Sequence, residues 1–148
     1  MVNEAQDYTK QNDEQRRRLL ALGASLAPEQ WNARLPNGWT VATLFGHLGF
    51  WDRVTLAQIQ RYERDGVVPV KNDFHLLNGV LAALFERLSP EQCRAWAVDA
   101  AEALDARIAA LPPALVVEII AKDGERRIHR HIHRCHHLDH VEALLHQG

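Results

Sequence analysis

Apolar positions along the chain recur every three or four residues in separate blocks, the period of an α-helix rather than the alternation of a strand. Leu19, Leu22 and Leu26 form such a stripe behind the charged face of residues 13–18. They predict a first helix over residues 3–26, firm from Asn12 onward and frayed over its polar beginning. Pro28 closes it, and residues 27–31 predict one extra turn. Pro36-Asn37-Gly38 reads as a loop. A second helix is predicted from Thr40 to about Arg64, with the Thr40 hydroxyl capping the free amides of its first turn. On its wheel Thr40, Thr43, Leu44, Phe50, Trp51 and Val54 gather around His47, an apolar face with one imidazole in its middle. Gly46 and Gly49 each cost up to about 1 kcal/mol against alanine in a helix, which predicts a neighbouring helix in close approach.

Asp65-Gly66 ends the second helix, and residues 67–72 read as extended because Pro69 restrains its neighbour and lacks an amide donor. Asn72 or Asp73 caps a third segment in which Phe74, Leu77, Leu81, Leu84 and Leu88 repeat at helical spacing. Ser89-Pro90-Glu91-Gln92 is a restart signal, with serine as cap, proline at the first helical position and glutamine three residues beyond the cap. The fourth segment runs to about Leu111, with Cys93, Trp96, Ala100, Leu104, Ile108 and Leu111 in register, and Pro112-Pro113 stops it. Residues 114–121 contain the β-branched run Val116-Val117-Glu118-Ile119-Ile120. With no partner strand in the sequence, a packed irregular connection is expected there in preference to a strand. Lys122-Asp123-Gly124 is a turn, and a last helix begins near Glu125. The expected architecture is one all-α domain over residues 1–148: four main helices in a bundle, with an extra short helix in the crossover.

Composition narrows the function. A chain of 148 residues can bury a core without disulfides. Its net charge of −2 and lack of a basic stripe argue against nucleic acid. Arg16-Arg17-Arg18 and Arg126-Arg127 have acidic neighbours and are read as solvated helix faces. Two cysteines, Cys93 and Cys135, fit a reducing cytosol, and Cys135 is read as a small buried hydrophobe. The residues Met1-Val2-Asn3-Glu4 lack the features of a signal peptide, and no apolar run approaches a membrane span. A soluble cytoplasmic protein acting on a small molecule is expected.

The candidate chemistry lies in the last helix. Seven of the nine histidines fall between His129 and His146. At about 100° per residue, His129, His133, His136, His137 and His140 share an arc about 100° wide, while His131 points elsewhere. The apolar stripe Ile128, Ile132, Cys135 flanks that arc, and Val141, Leu144 and Leu145 lie towards its other side. Two imidazoles at i and i+4 lean over the same turn and can close on one metal ion. The pairs His129/His133, His133/His137 and His136/His140 all qualify, so spacing alone leaves the choice open. A third ligand must come from elsewhere, and His47 is better placed than His75, which with His146 is read as solvent-facing. Asp52 points about 140° from His47 around the helix and is not assigned to the site. Asp139 and Glu142 are read as solvated charges, and are the carboxylates nearest to hand should an imidazole need orienting.

The stretch Leu35-Pro36-Asn37-Gly38-Trp39-Thr40-Val41-Ala42-Thr43-Leu44-Phe45-Gly46-His47-Leu48-Gly49-Phe50-Trp51-Asp52 resembles the DinB-like superfamily. That group includes thiol-dependent transferases of the bacillithiol transferase type and the N-terminal domain of mycothiol-dependent maleylpyruvate isomerase. His47 occupies the position of the family's histidine after a Gly-Trp-Thr lead-in. His133-Arg134-Cys135-His136-His137-Leu138-Asp139-His140-Val141 resembles its second signature, His-x-x-x-His before leucine and a β-branched residue. Thr43 departs from the pattern, since many members carry an acidic residue there that completes a capping box with the threonine. The resemblance implies a four-helix bundle, commonly a homodimer, with a divalent metal held by His47, His133 and His137.

Three neutral imidazoles leave a dication strongly Lewis acidic, able to lower the pKa of bound water to about 7 or to deprotonate a thiol. Zinc or nickel is favoured, with copper, iron or manganese the other candidates. No glutamate stands between His133 and His137, so the zinc-protease helix is excluded. The expectation is a metal-dependent enzyme that activates a low-molecular-weight thiol for transfer or a water for hydrolysis. The alternative is a metal- or ligand-binding stress-response bundle without turnover.

Overall fold

The computed structural model describes residues 4–147; Asn3, the first residue of the expected opening helix, lies outside the described residues. Among these the chain forms seven α-helices and a single 3-10 turn: α1 (Glu4–Ser25), α2 (Pro28–Trp31), α3 (Val41–Asp65), α4 (Phe74–Phe85), α5 (Pro90–Ala110), α6 (Pro113–Asp123) and α7 (Arg130–Leu145), with the turn at Glu125–Arg127. The main helices α1, α5, α3 and α7 close a ring in which each packs on the next, α7 returning to α1. Helix α4, the short crossover helix, lies against α3.

Local signals account for most boundaries. The Thr40 hydroxyl accepts from the Thr43 amide, Asp73 caps α4 through the Leu76 amide, and Ser89 and Gln92 complete a capping box on α5. Gly66 ends α3 with φ 91°, a backbone state that favours glycine. A Cβ on Gly46 would run into the Phe85 ring, and one on Gly49 into Trp96 and, at 3.0 Å, the Ala97 Cα. The two glycines therefore let α4 and α5 reach the α3 backbone, as their cost within a helix implied.

The core has two halves. Leu19, Phe45, Leu48, Phe85, Ala97 and Leu138 fill one, and Ile59, Tyr62, Leu104, Ile108, Ile119 and Ile128 fill the other. Phe74 and Leu84, expected on the buried stripe of α4, are 53% exposed each; Leu81, of the same stripe, is buried as expected, and Phe85 joins it. Trp96 is 37% exposed, with Ala97 behind it in the core.

Three expectations are corrected. Residues 113–123 form helix α6 rather than an irregular connection. The helical penalty of β-branched residues is only some tenths of a kcal/mol each, and Val116 and Ile119, three apart, share a buried face. Pro113 sits at the first helical position, so the proline pair starts α6 as well as stopping α5. The opening of α1 is helical from Glu4, with Tyr8 in the core. Lastly, α7 begins at Arg130 rather than Glu125, because Gly124 with φ 92° turns the chain and a 3-10 turn intervenes. The cap of α7 comes from another helix. Buried Asn12 of α1 accepts from the His131 amide at 2.8 Å and donates to the Ile128 carbonyl at 2.9 Å.

Candidate metal centre

Helices α3 and α7 pack side by side, and the contact brings His47 opposite His133 and His137. One donor nitrogen from each of the three rings lies within 4.8 Å of the others. The Nε2 atoms of His47 and His133 are 3.1 Å apart, and the ring centroids are separated by 5.1 Å (47/133), 4.8 Å (47/137) and 4.7 Å (133/137). Two nitrogens on one tetrahedral zinc, each about 2.0–2.1 Å from it, stand about 3.3 Å apart. The donor spacing fits a single small cation.

Protonation fits as well. Burial, helped by the charge of Arg130, lowers the pKa of His47 to about 4. Burial and the neighbouring His47 lower that of His137 to about 3, and burial with Arg130 pushes His133 well below its ordinary value. All three rings are neutral at pH 7, the state in which a ring nitrogen can ligate. Arg130 Nη2 lies 3.3 Å from His133 Nδ1. His47 Nδ1 is a buried atom with no partner among the described residues. A ligating histidine usually donates its second nitrogen to a carboxylate or carbonyl. Here His47 is held by packing instead, its ring 4.9 Å from that of Trp39.

Behind the triad lies a charged core. Arg134 is fully buried and donates to Asp52 Oδ2 at 3.0 Å and to both oxygens of Asp105 at 2.8 Å. Arg130 donates from Nε to Asp52 Oδ1 at 3.0 Å. Burial alone would lower the pKa of Arg134, but the two carboxylates outweigh it and raise it. For Arg130 burial prevails and the pKa falls. Asp52 is not a member of the imidazole cluster, yet it fixes the two arginines that flank His133. The buried stripe of α7 is thus Arg130, Arg134, Leu138 and Val141; Ile132 and Cys135, expected there, are only half-buried. Leu138 and Val141 carried the signal, since four and eight residues back from Leu138 stand Arg134 and Arg130.

The other candidates separate. His136 and His140 are exposed, and their rings lie 4.6 Å apart. His129 pairs with His131 at 3.3 Å and packs on Tyr8, away from the triad. His75 and His146 are exposed. Asp139 and Glu142 do not orient an imidazole, because Arg18 donates to them at 2.7 Å and 2.9 Å. Arg16, Arg18 and Arg127 are not solvated faces either. Arg16 and Arg18 are 25% and 23% exposed and tied to carboxylates, and Arg127 pairs with Asp123 at 2.7 Å.

A cavity of about 760 Å³ opens onto the triad. Trp39, Trp51 and Phe74 give it an aromatic wall, and Lys71, Arg126, Arg127 and Arg130 give it four cations against one acid, Asp123. Asp123 is occupied by Arg127 and by the Tyr62 hydroxyl at 2.6 Å. Lys71 and Arg126 are exposed and have no ion-pair partner among the described residues. The Trp51 indole donates to Asn78 at 2.8 Å, so this core aromatic also lines the cavity.

A family model described as the mycothiol maleylpyruvate isomerase N-terminal domain matches residues 13–141. No curated protein and no solved structure matches the chain.

Proposed function

The chain belongs to the mycothiol maleylpyruvate isomerase N-terminal domain family, a DinB-like group, and from that premise we propose that it is a metal-dependent enzyme. His47, His133 and His137 hold a divalent ion, zinc or nickel in preference to iron or manganese, at the cavity that receives a small-molecule substrate. The observation that carries the reading is the 3.1 Å approach of two Nε2 atoms from different helices, with a third ring nitrogen within 4.8 Å of both. When bound, the ion supplies Lewis acidity toward a small cellular thiol, for transfer to an electrophile, or toward water, for hydrolysis.

The residues of the chain do the rest. Trp39 and Trp51 exclude water from one side of the triad and present flat apolar surface to a substrate. Lys71 and Arg126 draw in and hold an anionic group, because their charge is not spent within the protein. The excess of cations around the cavity, in a chain whose net charge is −2, supports a substrate that carries a carboxylate or phosphate.

A homodimer belongs to the same reading. Leu76, Val80 and Leu84 make a row along α4 at 63%, 62% and 53% exposure, the kind of surface that a second copy covers. Sedimentation of the purified protein, with Val80→Asp as the disrupting variant, tests it. Two free cysteines support residence in a reducing cytosol. Among the described residues no helix is long and apolar enough to cross a membrane.

Elemental analysis of purified protein before and after His47→Ala tests the site: about one equivalent of metal, lost in the variant, is expected, and unchanged metal content overturns it. Assay of the metal-loaded protein against mixtures of thiols and electrophiles then tests turnover. Tight metal binding with no metal-dependent reaction would make the chain a binding module.

A further inference from the structure

The helix α7 carries a second group of three imidazoles whose donor nitrogens lie within 4.8 Å of one another, His136, His137 and His140. His137 is common to both groups, with its ring 4.8 Å from His47 on one side and 5.0 Å from His136 on the other. The two groups differ in access. His47 is buried and His133 and His137 are half-buried, while His136 and His140 are exposed. His136 also lines the cavity that opens onto the triad, so the exposed pair stands beside the inner group's route to solvent.

We infer that His136 and His140, with the ring of His137 between them and the triad, form an outer site for a divalent transition-metal ion, through which the inner site is loaded. The inference rests on the reading of the triad as a metal site. Imidazoles at i and i+4 chelate without distorting the helix, because both lean over the same turn. The donors are all nitrogen. The two carboxylates on the same stretch, Asp139 and Glu142, are engaged by Arg18 at 2.7 Å and 2.9 Å. The outer site therefore suits zinc, nickel or copper and not magnesium or calcium, which require oxygen donors. Two histidines completed by water, with the His137 ring given up to the triad once that is filled, hold an ion weakly and release it readily. The triad, with three converging rings and little solvent, holds it longer. An ion on the outer pair is already next to a ligand of the inner site, and exchange of the His137 ring passes it inward with no free diffusion through the cavity.

Metal-stripped full-length protein titrated with zinc by calorimetry, and loaded with cobalt(II) under stopped-flow absorbance, tests this. The wild type should take up two equivalents, one tight and one weak. His136→Gln/His140→Gln should lose the weak equivalent, keep the tight one, and load cobalt into the triad several-fold more slowly. His47→Ala should keep the weak equivalent alone. Both double-variant positions are exposed, so the fold is expected to stand, and far-ultraviolet circular dichroism checks it. A double variant that binds two equivalents, or loads at the wild-type rate, overturns the outer site. Loss of all binding in the double variant, with His47→Ala unaffected, overturns the triad instead and leaves the outer group as the metal site.

Discussion

Arg134 meets Asp52 at 3.0 Å in the interior of the bundle, and the pair fixes how α7 is turned against α3. Arg130 and Arg134, one turn apart, reach Asp52; His133 and His137, one turn apart and offset by three residues, reach His47. The same face-to-face contact thus carries a charge clamp and a cluster of imidazoles. Asp52→Ala should leave two guanidinium groups short of their partner in the core, which costs about 3–5 kcal/mol. Urea unfolding measures it, and a loss under about 1 kcal/mol would show that Asp105 alone compensates the charge.

Gly46 is a point of close approach between α4 and α3. Gly46→Ala should destabilise the protein by about 1–3 kcal/mol through overpacking against Phe85, despite the better helix propensity of alanine. Phe85→Leu should cost stability in the wild-type background and less in the Gly46→Ala background. A double-mutant cycle reads the coupling, and strict additivity would mean that the two side chains do not meet.

The metal-free protein should lose stability in mild acid. Burial first, and Arg130 next, hold His47 to a pKa of about 4, while a histidine in the unfolded chain titrates near its ordinary value of 6.5. As pH falls from 6.5 towards 4 the unfolded chain takes up a proton that the folded chain refuses. Stability therefore falls with pH across that window and is unaffected by this group above pH 7. His137, held to about 3, acts in the same direction. Urea midpoints at several pH values measure the slope, and His47→Leu should make it shallower.

The cavity cations should control the substrate's affinity. Arg126→Ala or Lys71→Ala removes one exposed charge, worth up to about 1 kcal/mol, and should raise KM for an anionic substrate about two- to fivefold. The effect should shrink as salt is added, since exposed charges are screened. A KM change that is independent of ionic strength would point to a contact of another kind.

Much of this arrangement could be read from the chain before its coordinates. Helix α3 announced itself by Thr40, the apolar face around His47, and two glycines whose cost needed a reason. His133 and His137 were one of three equivalent pairs on spacing, and only the resemblance separated them; in space the difference is plain, because His136 and His140 face solvent. The charge clamp escaped because arginine and aspartate on a helix are usually solvated, and helical arithmetic set Asp52 aside from His47 without saying that two long arginine side chains would come to it. Asn12, polar and early in α1, gave no local sign that it would cap a helix more than a hundred residues later.

Because the clamp and the imidazoles occupy alternate positions of one helical stretch, α7 has little latitude to slide or rotate without disturbing both. New specificities within this scaffold would have to arise on the opposite wall, where Lys71 and Asn72 sit on an extended connection and Phe74 and Asn78 on the short crossover helix. Those elements can be lengthened, recharged or exchanged while the ring nitrogens stay where they are.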